Sequence, residues 1–112
     1  MTLKEYIWNT PEGDEITVWD KDYDMEVYFY NQEYDAWDQA MMDLASKLDV
    51  INTTNGGVVV NLSELIERNI DALSASDLFY DTDIDSIMDD MESILAGNVS
   101  EDWLQKFVDC LV

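Results

Sequence analysis

A chain of 112 residues with 26 Asp and Glu against five Lys and Arg carries a formal charge of −21, which excludes a surface that itself binds nucleic acid. With 47% hydrophobic residues, four Trp, six Tyr and three Phe, it is too rich in core-forming side chains for a disordered acidic tail. It has no apolar run long enough to span a membrane, no His, and a single cysteine, Cys110, which leaves no internal disulfide and no Cys–His pair.

The length suits one domain covering residues 1–112. Thr2 is a capping residue for a short helix, LKEYIW, that must stop before Pro11. EITVWD (15–20) and DMEVYFYN (24–31) alternate with period two, and Lys21-Asp22-Tyr23 joins them as a hairpin. From Glu33 the period changes: Trp37, Ala40, Met41, Leu44, Ala45 and Leu48 recur at three and four, predicting an amphipathic helix over 33–48. VINTT, Asn55-Gly56-Gly57 and VVV predict a second hairpin, because Asn-Gly supplies the positive φ of a tight turn. Asn61 or Ser63 caps a helix lined by Leu62, Leu65, Ile66, Ile70 and Leu73, and Ser76–Tyr80 is a short turn or helical turn. A further helix runs to Gly97, and Ser100 caps the last, with Trp103, Leu104, Phe107, Val108 and Leu111 on its apolar face. The expected class is α+β: a small antiparallel sheet of two hairpins with four to five helices packed on one face.

The stretch DTDIDSIMDDME (81–92) carries six carboxylates. A calcium loop of the EF-hand type needs ligands at its positions 1, 3, 5, 9 and 12 with Gly at 6. Asp81, Asp83, Asp85, Asp89 and Glu92 would supply them, but Ser86 stands where the glycine belongs. The apolar residues Ile84, Ile87, Met88, Met91, Ile94 and Leu95 form a helical stripe instead, so a helix is preferred and no metal or other cofactor is expected. On its polar face Asp85 and Asp89 are four apart, and Asp89 and Glu92 three, spacings at which like charges destabilise a helix by about 0.2–0.5 kcal/mol per pair. No Lys or Arg lies between Arg68 and Lys106 to offset them.

Solubility needs a net charge of only about 2–8 in a small domain, so the excess calls for another use. Carboxylates three to four residues apart on a helix are separated by roughly 4.5–6 Å along its axis. That spacing lets them occupy Lys and Arg sites meant for successive phosphates. Candidate partner-binding residues are therefore Asp81, Asp83, Asp85, Asp89, Asp90 and Glu92, with Asp35 and Asp38 of the helix 33–48. The first hairpin adds Asp22, Tyr23, Asp24, Tyr28 and Tyr30, with Trp19 and Tyr34 in the same aromatic cluster.

Size, charge, lack of His and the acidic stretches DTDIDSIMDDME and YDAWDQAMMD together resemble the small acidic anti-defence inhibitors of phages and mobile elements. These are anti-CRISPR proteins and DNA-mimicking anti-restriction proteins, and among them the profile is most similar to an inhibitor of a Cas9 effector. The resemblance covers the whole chain as a profile and assigns no residue. It implies a stoichiometric inhibitor rather than an enzyme, acting in the host cytoplasm by occupying a basic RNA or DNA groove of a CRISPR effector nuclease. An N-terminus without a basic segment and apolar core fits that compartment. The alternative is an immunity or antitoxin protein that neutralises a toxin, and calcium binding at 81–92 is a third reading.

Overall fold

The computed structural model describes residues 1–11, 14–30 and 36–112, the side chains of residues 30 and 36–38 excepted. Thr2 starts the first helix, α1 (Leu3–Trp8), through a reciprocal cap. The Glu5 N–H donates to Thr2 Oγ1 at 3.2 Å, and the Thr2 N–H donates to Glu5 Oε1 at 3.0 Å. Leu3 and Ile7 are buried below it.

Both expected hairpins form: β1 (Glu15–Asp20) with β2 (Glu26–Tyr30), and β3 (Val50–Thr54) with β4 (Gly57–Val60). They do not make an all-antiparallel sheet. The strand order is β2-β1-β4-β3, and β1 runs parallel to β4, so the sheet is mixed. The centre strand β4, GVVV, is apolar throughout, while the polar VINTT lies at an edge. Register places Ile16 opposite Phe29, Val18 opposite Val27 and Val18 beside Val58, all buried on one face. The opposite face carries Thr17, Trp19, Glu26, Tyr28 and Val59, none of them fully buried.

The second hairpin turns on Asn55-Gly56 alone, with φ of 97° at Gly56. Gly57 belongs to the strand. A Cβ there would collide with the Thr17 carbonyl oxygen and come within 2.6 Å of the Trp19 ring, so close packing of β4 on β1 requires glycine.

The remaining helices are α2 (Ala36–Lys47), α3 (Leu62–Arg68), α4 (Ile70–Ala75), α5 (Ile84–Ser93) and α6 (Glu101–Asp109), with a π-helical turn at Ile94–Asn98. Six α-helices among the described residues exceed the four to five expected, because the helix predicted after Asn61 divides at Asn69. The buried Asn69 side chain donates to the Leu65 carbonyl at 2.8 Å and accepts the Val112 N–H at 3.2 Å, which diverts the backbone from a continuous helix. Asn61 begins α3 without a side-chain cap; its oxygen accepts the Asp49 N–H at 2.9 Å. Ser100 caps α6 as expected, accepting the Trp103 N–H at 3.2 Å. Leu104, Phe107, Val108 and Leu111 are all in the core, so the last helix covers the domain, and it packs on α2. No described helix is long and apolar enough to cross a membrane.

Candidate interaction surface

Residues 84–93 are α-helical, with Ile87, Met88 and Met91 buried and Ile84 half-buried. Asp85, Asp89 and Glu92 are therefore helix residues and cannot wrap an ion as a calcium loop does. Among the described residues no group of three or more carboxylate or thiol side chains is placed to hold a metal ion. At about 100° per residue, Asp85, Asp89 and Glu92 fall on one stripe of α5, while Asp90 lies roughly a third of a turn away on the other flank. All four are exposed.

The stripe meets the first hairpin. The Tyr23 hydroxyl donates to Asp85 Oδ1 at 2.7 Å, a contact between residues 62 apart in sequence. This bond pushes the Tyr23 phenol up to about 12, helped by partial desolvation and by the charges of Asp85, Glu67 and Asp83. On β2 the Tyr28 hydroxyl donates to Glu26 Oε1 at 2.7 Å, and its phenol is raised as well, first by that bond and further by Glu15 and Glu92. Hairpin and helix thus form one acidic, tyrosine-studded surface running from Tyr23 and Asp85 to Tyr28 and Glu92.

Other candidate residues have different surroundings. Asp22 is paired with Lys21 at 3.4 Å and accepts from Ser63 Oγ at 3.4 Å. Asp81 accepts the Asp83 N–H at 3.2 Å and the Ser86 hydroxyl at 3.3 Å, bracing the entry to α5. Asp83 occupies the N-cap position of α5 without a side-chain cap. Asp24 is exposed, and Asp90 lines a separate cavity. Asp35, Tyr34 and the side chains of Asp38 and Tyr30 lie outside the described residues.

Among the described residues the acids of α5 form no ion pair. Among the described residues the ion pairs are those of Lys21 with Asp22 and, at 3.1 Å, Glu64. Lys4 sits over the Trp8 ring at 4.7 Å, Lys47 donates to the Leu111 carbonyl at 3.0 Å, and Arg68 donates to the Val112 carbonyl at 3.1 Å. Four of the five basic side chains thus pair with Asp22 and Glu64, sit over an aromatic ring or donate to the carbonyls of Leu111 and Val112, and none of these contacts is to an acid of α5.

Sequence reasoning overlooked the buried carboxylate that holds this surface in place. Asp20, 7% exposed, accepts the Asp22 and Tyr23 N–H groups at Oδ2, at 2.9 and 3.0 Å, and the Ser63 N–H at Oδ1, at 2.7 Å. One side chain shapes the hairpin turn that presents Tyr23 and also caps the first turn of α3 from outside the helix. The local signal was present in Asp20-Lys21-Asp22, where an Asp accepting from the backbone two residues on makes a turn.

Comparison with known protein families, curated proteins and solved structures finds no match for this chain.

Proposed function

We propose that the protein is a stoichiometric inhibitor of a nucleic-acid-binding defence nuclease, a Cas9-type CRISPR effector in the leading case. It occupies a basic RNA or DNA groove with the surface formed by α5 and the first hairpin. The observation that carries this reading is the stripe Asp85, Asp89 and Glu92, exposed, tied to the first hairpin through the Tyr23–Asp85 bond, and in no ion pair among the described residues. Alignment of like charges on one rigid face raises the energy of the free protein and is relieved when a cationic groove closes over it. Tyrosines at the edge add contact area at low entropic cost. The protein catalyses nothing in this reading, and association is fast and weakens with salt.

The test is inhibition of guide-dependent DNA cleavage by a purified Cas9-type nuclease, with the triple variant D85N/D89N/E92Q beside the parent. The parent inhibits at a ratio near one to one, and the triple variant loses about tenfold or more in potency at a melting temperature no lower than the parent's. Equal potency of the two proteins would discard the surface. Absence of binding to any CRISPR effector, with binding to a toxin instead, would move the protein to the immunity class.

A further inference from the structure

Asp90 stands apart from the acidic stripe, and its surroundings differ from those of Asp89. It lines an open cavity of about 290 Å³ between α5, the turn after α4 and α6. Its aromatic wall is Phe79, Tyr80 and Trp103, and Asp90, Ser93 and Asn98 supply its polar groups. The wall is firmly built: Phe79 packs edge-on to Trp103 at 5.3 Å and to Phe107 at 5.9 Å, and Trp103 stacks on the buried Phe107 at 5.8 Å, 11° from parallel. Tyr80 is fully exposed at the rim. None of the chain's five basic residues lines the cavity.

We propose that this cavity receives a single arginine side chain from the basic partner, the guanidinium lying against the Trp103 and Tyr80 rings and donating to Asp90. The proposal rests on the reading of the protein as a binder of a cationic surface, and adds a specific anchor to it. Size favours one side chain, because the volume lies at the lower limit of small-molecule sites. Chemistry favours a cation, because aromatic faces attract one and the carboxylate completes its charge. Guanidinium fits better than ammonium. It is planar, weakly hydrated and carries a fork of N–H donors, whereas lysine is a strongly hydrated point charge. The acceptors match the fork: the Asn98 Nδ2–H donates to Ser93 Oγ at 2.8 Å, which leaves the Asn98 side-chain oxygen to accept from a guest beside the Asp90 carboxylate. The stripe on the other flank of α5 has neither the cavity nor the indole, so it attracts cations without discriminating between them.

The experiment needs no nuclease. The isolated protein is titrated with capped arginine (N-acetyl-arginine amide) and, separately, with capped citrulline, its neutral isostere, and followed by NMR at the Trp103 indole N–H and the Asn98 side-chain amide. Arginine is expected to shift both signals saturably, and citrulline to leave them in place. D90N should weaken arginine binding about tenfold, while D89N changes it by less than twofold. Three results would each overturn the proposal: no shift at Trp103, equal response to citrulline, or equal losses in D89N and D90N, the mark of diffuse counterion attraction. A failure here leaves the outcome of the D85N/D89N/E92Q inhibition assay untouched, so anchor and acidic surface are tested separately.

Discussion

The two hairpins of the sheet have opposite chemistry. The β1–β2 hairpin, residues 15–30, holds five carboxylates and one lysine together with Trp19, Tyr23, Tyr28, Phe29 and Tyr30. The β3–β4 hairpin, residues 50–60, holds no charged residue at all. One is tied through Tyr23 to an acidic helix, and the other offers an outer edge of Ile, Asn and Thr. A charge of −21 spread evenly for solubility would not spare a whole hairpin in this way. The neutral hairpin packs Gly57 closely on β1, and the charged one carries the proposed interaction surface.

Gly57→Ala tests the scaffold half with the largest expected effect. The added methyl meets backbone, which cannot swing aside as a side chain can, so β4 must leave β1. Loss of about 3 kcal/mol or more of unfolding free energy is expected, read as a collapse of the urea midpoint, or failure to fold. Gly56→Ala is the control. Open space surrounds that position, and only its φ of 97° opposes a side chain, at a cost of about 1–2 kcal/mol. If the two variants lose equal stability, close strand approach is not what the second hairpin provides.

Asp20→Ala comes next and probes the joint between the two halves. It leaves three backbone N–H groups without their acceptor, one of them in a buried bond. A cost of about 2–3 kcal/mol is expected, with Tyr23 released from its position. Asp20→Asn, which keeps one acceptor oxygen, should retain part of that. An Asp20→Ala protein as stable as the parent would mean that water replaces all three bonds and that the turn holds itself.

The contrast between the hairpins was only partly legible in the sequence. Period-two alternation and the Asn-Gly signal were local, and both hairpins lie where those patterns placed them. The parallel pairing of β1 with β4 is a contact across forty residues, which periodicity does not encode, so the sheet read as antiparallel throughout. The break at Asn69 was missed for a similar reason: its side chain is held by Leu65 and by Val112, and the second contact comes from the far end of the chain. The acidic stripe on α5 followed directly from helical spacing. Its neighbour Tyr23 was selected as an aromatic on a turn, and only the fold reveals that it donates to Asp85.

The junction of hairpin and helix has a titration signature. Tyr23 is raised from 10.0 to about 12, first by its bond to Asp85. Folding therefore favours the protonated phenol. The associated stability is fully present below pH 10 and is lost as pH rises towards about 12. In Asp85→Asn the phenol should return towards 10, visible as an earlier tyrosinate absorbance step. An unchanged titration curve would show that hairpin and helix are not joined at this bond in solution, and the surface would then lack its rigid seam.

The smallest expected effect belongs to the neutral edge. Asn52 and Thr54 lie on the sheet face that carries Trp19 and Val59, exposed and at the opposite edge of the sheet from β2. Alanine at both positions should change unfolding free energy by no more than about 0.5 kcal/mol, since no buried group loses a partner. It should leave nuclease inhibition at the parent's level, because a cationic groove finds nothing to neutralise there. A loss of inhibition at unchanged stability would place the interface on β3. An unpaired strand edge is itself a template for adding a partner's strand through backbone hydrogen bonds. In that case the sheet edge would provide recognition, and the charge on the other hairpin would govern only how fast the partners meet.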